Sequence, residues 1–335
     1  MITREQREAQ EHVQLSAYAT FSDAATRQRP LEPDPFRTAF QRDRDRIIHT
    51  KSFRRLMHKT QVFVAPVGDH YRTRLTHTLE VSQISRSIAR ALGLNEDLAE
   101  AIAMAHDLGH TPFGHTGEDA LATALARYGE TFRHNVQSLR VVDIIERDGH
   151  GLDLTNEVRD GILHHTGKER ASTLEGRIVA TSDRIAYVNH DIDDAMRAGL
   201  IVESDLPLST HTVLGNNHSE RITTLVEDMV RNSDGTGDVM LSDNIWAALQ
   251  ELRQFLFSNV YLRVGERSEE PKASKLVSML FDYYIQHFDN VPEEYKSISG
   301  GKPEVAVADF VASMTDRYAI ALFERLFVPM SWHSL

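Results

Sequence analysis

The stretch Ala103 to Ala120, AMAHDLGHTPFGHTGEDA, sets three histidines and several carboxylates around a Gly/Pro turn. An apolar helical run, LAEAIAMA (Leu98 to Ala105), leads into it, so His106 and Asp107 stand at the buried end of a helix. Polar groups left unpaired there cost free energy. They therefore require either hydrogen-bond partners or an ion.

Working outward, apolar residues recur at three- and four-residue steps along most of the chain, and alternating β-branched runs are scarce. The pattern predicts an all-α fold. Helices are expected near 37–57, 74–92, 97–107, 117–128, 134–147, 154–164, 173–198, 217–231, 241–257, 270–286 and 303–327. Gly93, Gly129, Gly149 and Gly151 read as C-terminal stops, and Asn95 and Thr116 as N-caps before acidic first turns. The exception is TQVFVAPVGDHYRT (Thr60 to Thr73), whose Val/Phe content and Pro-Val-Gly-Asp turn predict at most a short β-hairpin near 60–73. Mobile loops are expected at LGNNHS (Leu214 to Ser219) and RNSDGTGD (Arg231 to Asp238). A boundary near residue 200 divides an N-terminal core, 1–200, from a C-terminal helical region, 201–335. One continuous domain is the alternative.

The 335 residues are 41% hydrophobic and contain no cysteine, which removes disulfides, thiolate nucleophiles and zinc–thiolate sites together. Any metal must be held by imidazole and carboxylate. The N-terminus MITREQREAQEHVQ is polar, and no apolar run approaches the roughly 18 residues of a spanning helix. A cytoplasmic protein with no membrane partner is expected. The formal charge of −12 opposes general affinity for nucleic acid. Yet Phe36 to Thr60 holds eight Lys/Arg against two Asp, a cationic island that suits a confined anion or, equally, a solvated helix face laced with Arg/Asp pairs.

Three places on the expected helices carry four groups able to converge on one ion: His77, the pair His106 and Asp107, and Asp183. Two imidazoles and two carboxylates make a donor set suited to Mn²⁺ or Fe²⁺, with Mg²⁺, Zn²⁺, Co²⁺ and Ni²⁺ also accommodated. Singly, each signal is weak, because a histidine on an apolar helix face is more often a hydrogen-bonded core residue.

Together, these residues resemble the HD-domain phosphohydrolases, whose ligands run His, then His-Asp, then a distant Asp. Closer still is the similarity to the deoxyguanosinetriphosphate triphosphohydrolase-like branch, carried by FQRDRDRIIHTKSFRRL (Phe40 to Leu56), KTQVF (Lys59 to Phe63), RLTHTLEV (Arg74 to Val81), HDLGHTPFGHTGE (His106 to Glu118), FRHNVQSLRV (Phe132 to Val141) and DRIAYVNHDIDDA (Asp183 to Ala195). The tail VADFVASMTDRYA (Val307 to Ala319) is similar too, and the resemblance is thinnest over 200–300. It implies cleavage of a deoxynucleoside triphosphate to the deoxynucleoside and tripolyphosphate, at one divalent metal held by His77, His106, Asp107 and Asp183.

His115 and Glu118, three residues apart at a helix start, share a face. There the carboxylate can orient the imidazole and raise its pKa. His115 is the expected general acid and Glu118 its orienting partner. The plainer reading is a helix-terminal carboxylate beside a loop histidine. By resemblance His134 is a third active-site histidine, and Arg74, His110 and Arg184 match phosphate-contacting positions. Tyr187 and Asp191, four and eight residues past Asp183, lie along one side of a helix and suit the sugar, with Gln61 a second sugar contact. Tyr187 against the deoxyribose would leave no room for a 2′ hydroxyl.

The resemblance also implies a homo-oligomer and an activator nucleotide near the basic segment 36–60. This ranks above a single-stranded nucleic-acid groove, since Phe36, Phe40 and Phe53 have the spacing of core residues. Two alternatives remain in view: an HD phosphohydrolase acting on a monophosphate, cyclic dinucleotide or alarmone, and a nucleotide sensor that has no need of His115 and Glu118.

Overall fold

A computed structural model describes residues 1–61, 72–261 and 269–329. The described chain is helical, as expected, and its ordered segments are α1 (Arg4–Gln14), α2 (Ala39–Ile48), α3 (Lys51–Arg55), α4 (Arg74–Ala91), α5 (Glu96–Ala105), α6 (Gly114–Ala126), α7 (His134–Arg140), the single turn α8 (Glu146–Gly149), α9 (Asn156–Leu163), α10 (Leu174–Arg197), α11 (His218–Ser233), α12 (Asp243–Leu256), α13 (Glu270–Gln286), α14 (Glu293–Lys296), α15 (Pro303–Ser313) and α16 (Asp316–Phe327). Of the expected hairpin, an antiparallel bridge joins Thr60 and Thr73; its tip, 62–71, lies outside the described residues.

Contacts divide the chain into two compact units built from interleaved segments. The first comprises Met1–His49, Thr76–His106 and Leu152–Arg267, and the second Thr50–Leu75, Asp107–Gly151 and Ser268–Leu335. Residue 200 lies inside the first.

In the first unit α5 is the central element, with Leu98, Ala99 and Ala101 to Ala105 all buried. Asn95 starts it as expected, its side chain accepting from the Leu98 amide at 3.3 Å. Helices α2, α9 and α10 surround it. Gly161 on α9 permits a close approach to α5, since a Cβ there would meet Ile102 Cδ1 at 2.5 Å. Much of the cationic island in this unit is neutralised locally: Arg37 pairs with Asp34 at 2.7 Å and Asp45 at 2.9 Å, and Arg44 with Glu100 at 3.0 Å. That is the ion-laced helix face weighed above.

The second unit has its own apolar core, in which Leu121, Leu125, Val277, Phe281, Val307 and Val311 are buried. It also holds the turn between His106 and α6. Phe113 takes left-handed backbone angles (φ 62°), followed by Gly114 (φ 59°). This reversal starts α6 at Gly114, so Thr116 lies inside the helix and does not cap it. A bulky residue in that region is strained, and its surroundings hold it: the Phe113 amide donates to Asp316 at 3.0 Å and its ring is buried.

Two long expected helices break at caps. The 37–57 segment divides at Thr50, whose hydroxyl accepts from the Phe53 amide, and 303–327 divides at Thr315, which caps Tyr318. Both satisfy amide groups that a helix start would otherwise orphan.

Candidate functional site

In the first unit three helices aim donors at one point. His77, one turn into α4, places Nε2 2.9 Å from Asp183 Oδ1 on α10. His106, at the end of α5, places Nε2 3.8 Å from the same oxygen. The Nδ1 of His106 lies 2.7 Å from the Ala103 carbonyl, so Nδ1 carries the proton and Nε2 presents its lone pair. Donors bound at about 2.1 Å to one cation sit about 3 Å apart when adjacent. The His77–Asp183 spacing has that value, and both imidazoles are essentially buried. The set fits a divalent metal.

Other residues of this unit support it, and sequence reading had not picked them out. His190, two turns beyond Asp183, places Nδ1 3.5 Å from His77 Nδ1, and its Nε2 is paired with Glu80. His165 stands with its ring 5.0 Å from that of His106, and its Nδ1 is held by the Ile162 carbonyl at 2.7 Å. The seven-residue step from Asp183 to His190 was the available signal. Asp191 is fully buried and Tyr187 half-buried along the same helix.

Arg184 faces an adjacent cavity of about 500 Å³, which Arg177, Arg170, Lys168 and the half-exposed Trp246 also line. Burial lowers the Arg184 pKa, with the Arg253 charge adding to the effect. Arg170 and Arg177 are paired with Asp238. Neither Trp246 nor Arg177 was singled out from the sequence, although Arg177 lies seven residues before Arg184.

Asp107 follows His106 in the chain and belongs to the second unit. There its Oδ2 accepts from Arg74 Nη1 at 2.6 Å, with both side chains buried. The turn after it is pinned by several bonds: the Gly109 amide donates to Ser138 at 2.9 Å, and Lys59 donates to the carbonyls of His110 and of Ala312, the latter at 2.8 Å. Burial pushes the Lys59 ammonium down to about 7. Gln61 is buried, and its Oε1 has no hydrogen-bond partner among the described residues.

Beyond the turn, His110, His115, Glu118 and His134 gather into one cluster. Glu118 engages His134 most closely, through its backbone amide at 2.8 Å and through Nδ1 at 2.9 and 3.0 Å. His115, exposed at 59% of its side chain, lies 3.4 Å from the same carboxylate. Burial pushes the Glu118 carboxyl up, and the hydrogen bonds from His115 and His134 outweigh it, holding the group well below the usual carboxylate range. The His110 ring stacks on His134 at 4.4 Å. Burial, with the Arg74 charge adding, pushes the His110 pKa well below its ordinary value.

Residues 74–188 match the HD domain and 239–325 match the phosphohydrolase-associated domain. A deoxyguanosinetriphosphate triphosphohydrolase-like protein of Caldanaerobacter subterraneus subsp. tengcongensis is 52% identical over 335 residues, covering 99% of this chain and 98% of that one. One from Desulfatibacillum aliphaticivorans is 47% identical, covering 98% and 99%. A solved structure of a hypothetical protein from Aquifex aeolicus is 19% identical, with a TM-score of 0.47 over 85% of this chain and 71% of that one. The HD match and the histidine–aspartate clusters define a phosphohydrolase able to hold a divalent metal. Within that class, the chain belongs to the deoxyguanosinetriphosphate triphosphohydrolase-like family. Among the described residues no helix is long and apolar enough to cross a membrane.

Proposed function

We propose that this chain hydrolyses deoxynucleoside triphosphates to the deoxynucleoside and tripolyphosphate, at one divalent metal held by His77, His106, Asp107 and Asp183. The observation that carries the reading is the approach of the His77 and His106 Nε2 atoms to one oxygen of Asp183, at 2.9 and 3.8 Å. Asp107 joins the set by its peptide bond to His106 and by the family's ligand order. Nitrogen and carboxylate donors without sulfur favour Mn²⁺ or Fe²⁺. Such a cation supplies Lewis acidity toward water and toward a phosphoryl oxygen.

The chain's own groups do the rest. With Nδ1 facing Glu118, His115 keeps Nε2 to protonate the leaving 5′ oxygen, and Glu118 orients both His115 and His134. Arg74 spends Nη1 on Asp107, while its buried Nε has no partner among the described residues, so donors remain for phosphate. His110 and Arg184 add donors to the triphosphate. Tyr187 blocks a 2′ hydroxyl, Asp191 and Gln61 accept or donate at the sugar, and the exposed indole of Trp246 offers the base a stacking face.

Incubating the protein with each of the four deoxynucleotides and Mn²⁺, singly and mixed, tests this directly. Tripolyphosphate is the expected product. Pyrophosphate or orthophosphate in its place rejects the cleavage site, and activity confined to the mixture supports an activator near 36–60. Light scattering in the same buffers tests the homo-oligomer.

A further inference from the structure

We propose that His110, His115, Glu118 and His134 form a second divalent-ion site, of the zinc class, whose occupation switches the protein off. This donor set shares no residue with His77, His106, Asp107 and Asp183. Each of its four residues offers one ligand atom, and all four atoms lie within 4.8 Å of one another. Three imidazoles and one carboxylate are a complete tetrahedral complement for Zn²⁺, which takes nitrogen at about 2.0–2.1 Å and oxygen at about 2.0–2.2 Å. Tetrahedral donors at that range sit about 3.4 Å apart, so closure requires movements of the order of 1 Å.

The cluster is built for such a closure. Glu118 is anchored by the His134 backbone amide at 2.8 Å, an outer contact of the sort that fixes a ligand's orientation. His110 and His134 are already stacked at 4.4 Å, and the His115 ring lies 5.3 Å from that of His110. The member that would move to complete the set is His115, whose side chain is 59% exposed and lies 3.4 Å from Glu118. A second, independent sign is His110 Nδ1, a nitrogen in a residue only 1% exposed with no hydrogen-bond partner among the described residues. A polar atom so placed carries a desolvation cost that a ligand would relieve. The Arg74 guanidinium is balanced by Asp107.

Metal binding here stands apart from the proposed reaction; its inhibitory effect rests on that reading. An ion on His115 ties up the nitrogen that would deliver the proton, and one on Glu118 removes the orienting carboxylate. Turnover therefore falls as this set fills, even with the HD ligands loaded with Mn²⁺.

The test is a Zn²⁺ titration of metal-stripped protein by calorimetry, with elemental analysis after gel filtration. Two ions per chain are expected for the parent protein and one each for His77→Ala and His115→Ala. His115→Ala is the first choice because the side chain is exposed; Glu118→Gln, with circular dichroism as a folding control, is the second. Co²⁺ in His77→Ala should give the intense visible absorption of a tetrahedral site, lost in His77→Ala/His115→Ala. One ion in the parent, or two in His115→Ala, overturns the site. Unchanged turnover of Mn²⁺-loaded protein at full Zn²⁺ occupancy overturns the off-state. Two ions in the titration, with no tripolyphosphate formed by zinc-free, Mn²⁺-loaded protein, would reject the proposed reaction and leave the site standing, whereas tripolyphosphate formation by that protein with one ion in the titration would do the reverse.

Discussion

Arg74 donates through Nη1 to Oδ2 of Asp107 at 2.6 Å, with the two side chains 3% and 7% exposed. The carboxylate that the HD motif assigns to a metal is thus already held by a guanidinium. Removing one partner of a buried pair leaves an uncompensated charge, at a cost of about 3–5 kcal/mol. Arg74→Ala should lose stability on that scale in urea denaturation, and saturating Mn²⁺ should recover part of it by engaging the freed carboxylate. Arg74→Lys keeps the charge but not the planar fork, and should fall between. A loss under about 1 kcal/mol in Arg74→Ala would show that the pair is not carrying buried charge.

His77→Ala and Asp183→Ala each delete a donor from the approach seen at 2.9 Å, so in protein loaded with Mn²⁺ alone the bound Mn²⁺ should be lost or strongly reduced in elemental analysis. His190→Ala should behave differently, because His190 touches His77 and Glu80. It should retain one Mn²⁺ at saturating Mn²⁺ but bind it about 10–100-fold more weakly. Full retention at unchanged affinity in all three would remove these residues from the centre.

Lys59 predicts a pH signature. Burial moves it from its ordinary 10.5 to about 7, so the folded protein favours the neutral amine. Below about 7 both folded and unfolded states carry the proton and the penalty is complete. Between 7 and 10.5 the unfolded state holds more protons, so stability rises with pH by up to about 1.4 kcal/mol per unit, levelling off above 10.5. Lys59→Met lacks this contribution. The parent-minus-variant difference in unfolding free energy should therefore climb from pH 7 to pH 10, and a flat difference contradicts it.

Gly109 admits no side chain. A Cβ there would stand 2.1 Å from the Ser138 amide nitrogen and 2.4 Å from the Gln137 carbonyl carbon, and neither can retreat without moving α7, which begins at His134. Gly129 is the comparison: its φ of +76° penalises alanine, but nothing lies within 4 Å of the added carbon. Overpacking typically costs about 1–3 kcal/mol, sometimes more. Gly109→Ala should be the more destabilised in urea and should also weaken Zn²⁺ binding at the histidine cluster. Equal losses in the two variants would contradict the close approach.

Several helices were legible almost to the residue. The expected 173–198 and 270–286 correspond to α10 (Leu174–Arg197) and α13 (Glu270–Gln286), because helix formation depends on neighbours three and four residues away. Misreadings fell where a local signal met a longer-range one. Thr116 resembles a cap, but Phe113 begins α6 earlier because Asp316, 203 residues away, holds its amide. The polar segment MITREQREAQEHVQ contains α1, which Thr3 caps and whose buried residue is Glu8; polarity masked it.

By itself, the sequence determined the helical class, the HD motif and the residue types around it, since periodicity, caps and ligand order are written within short stretches or in chain order. Tertiary structure alone decided that His77 meets an aspartate 106 residues away, that His190 and Glu80 stand behind it, and that Glu118 grips His134 more closely than His115. The reason is physical: hydrogen bonds within a turn follow from adjacent residues, whereas a contact across a hundred residues exists only once packed helices have set their faces against one another.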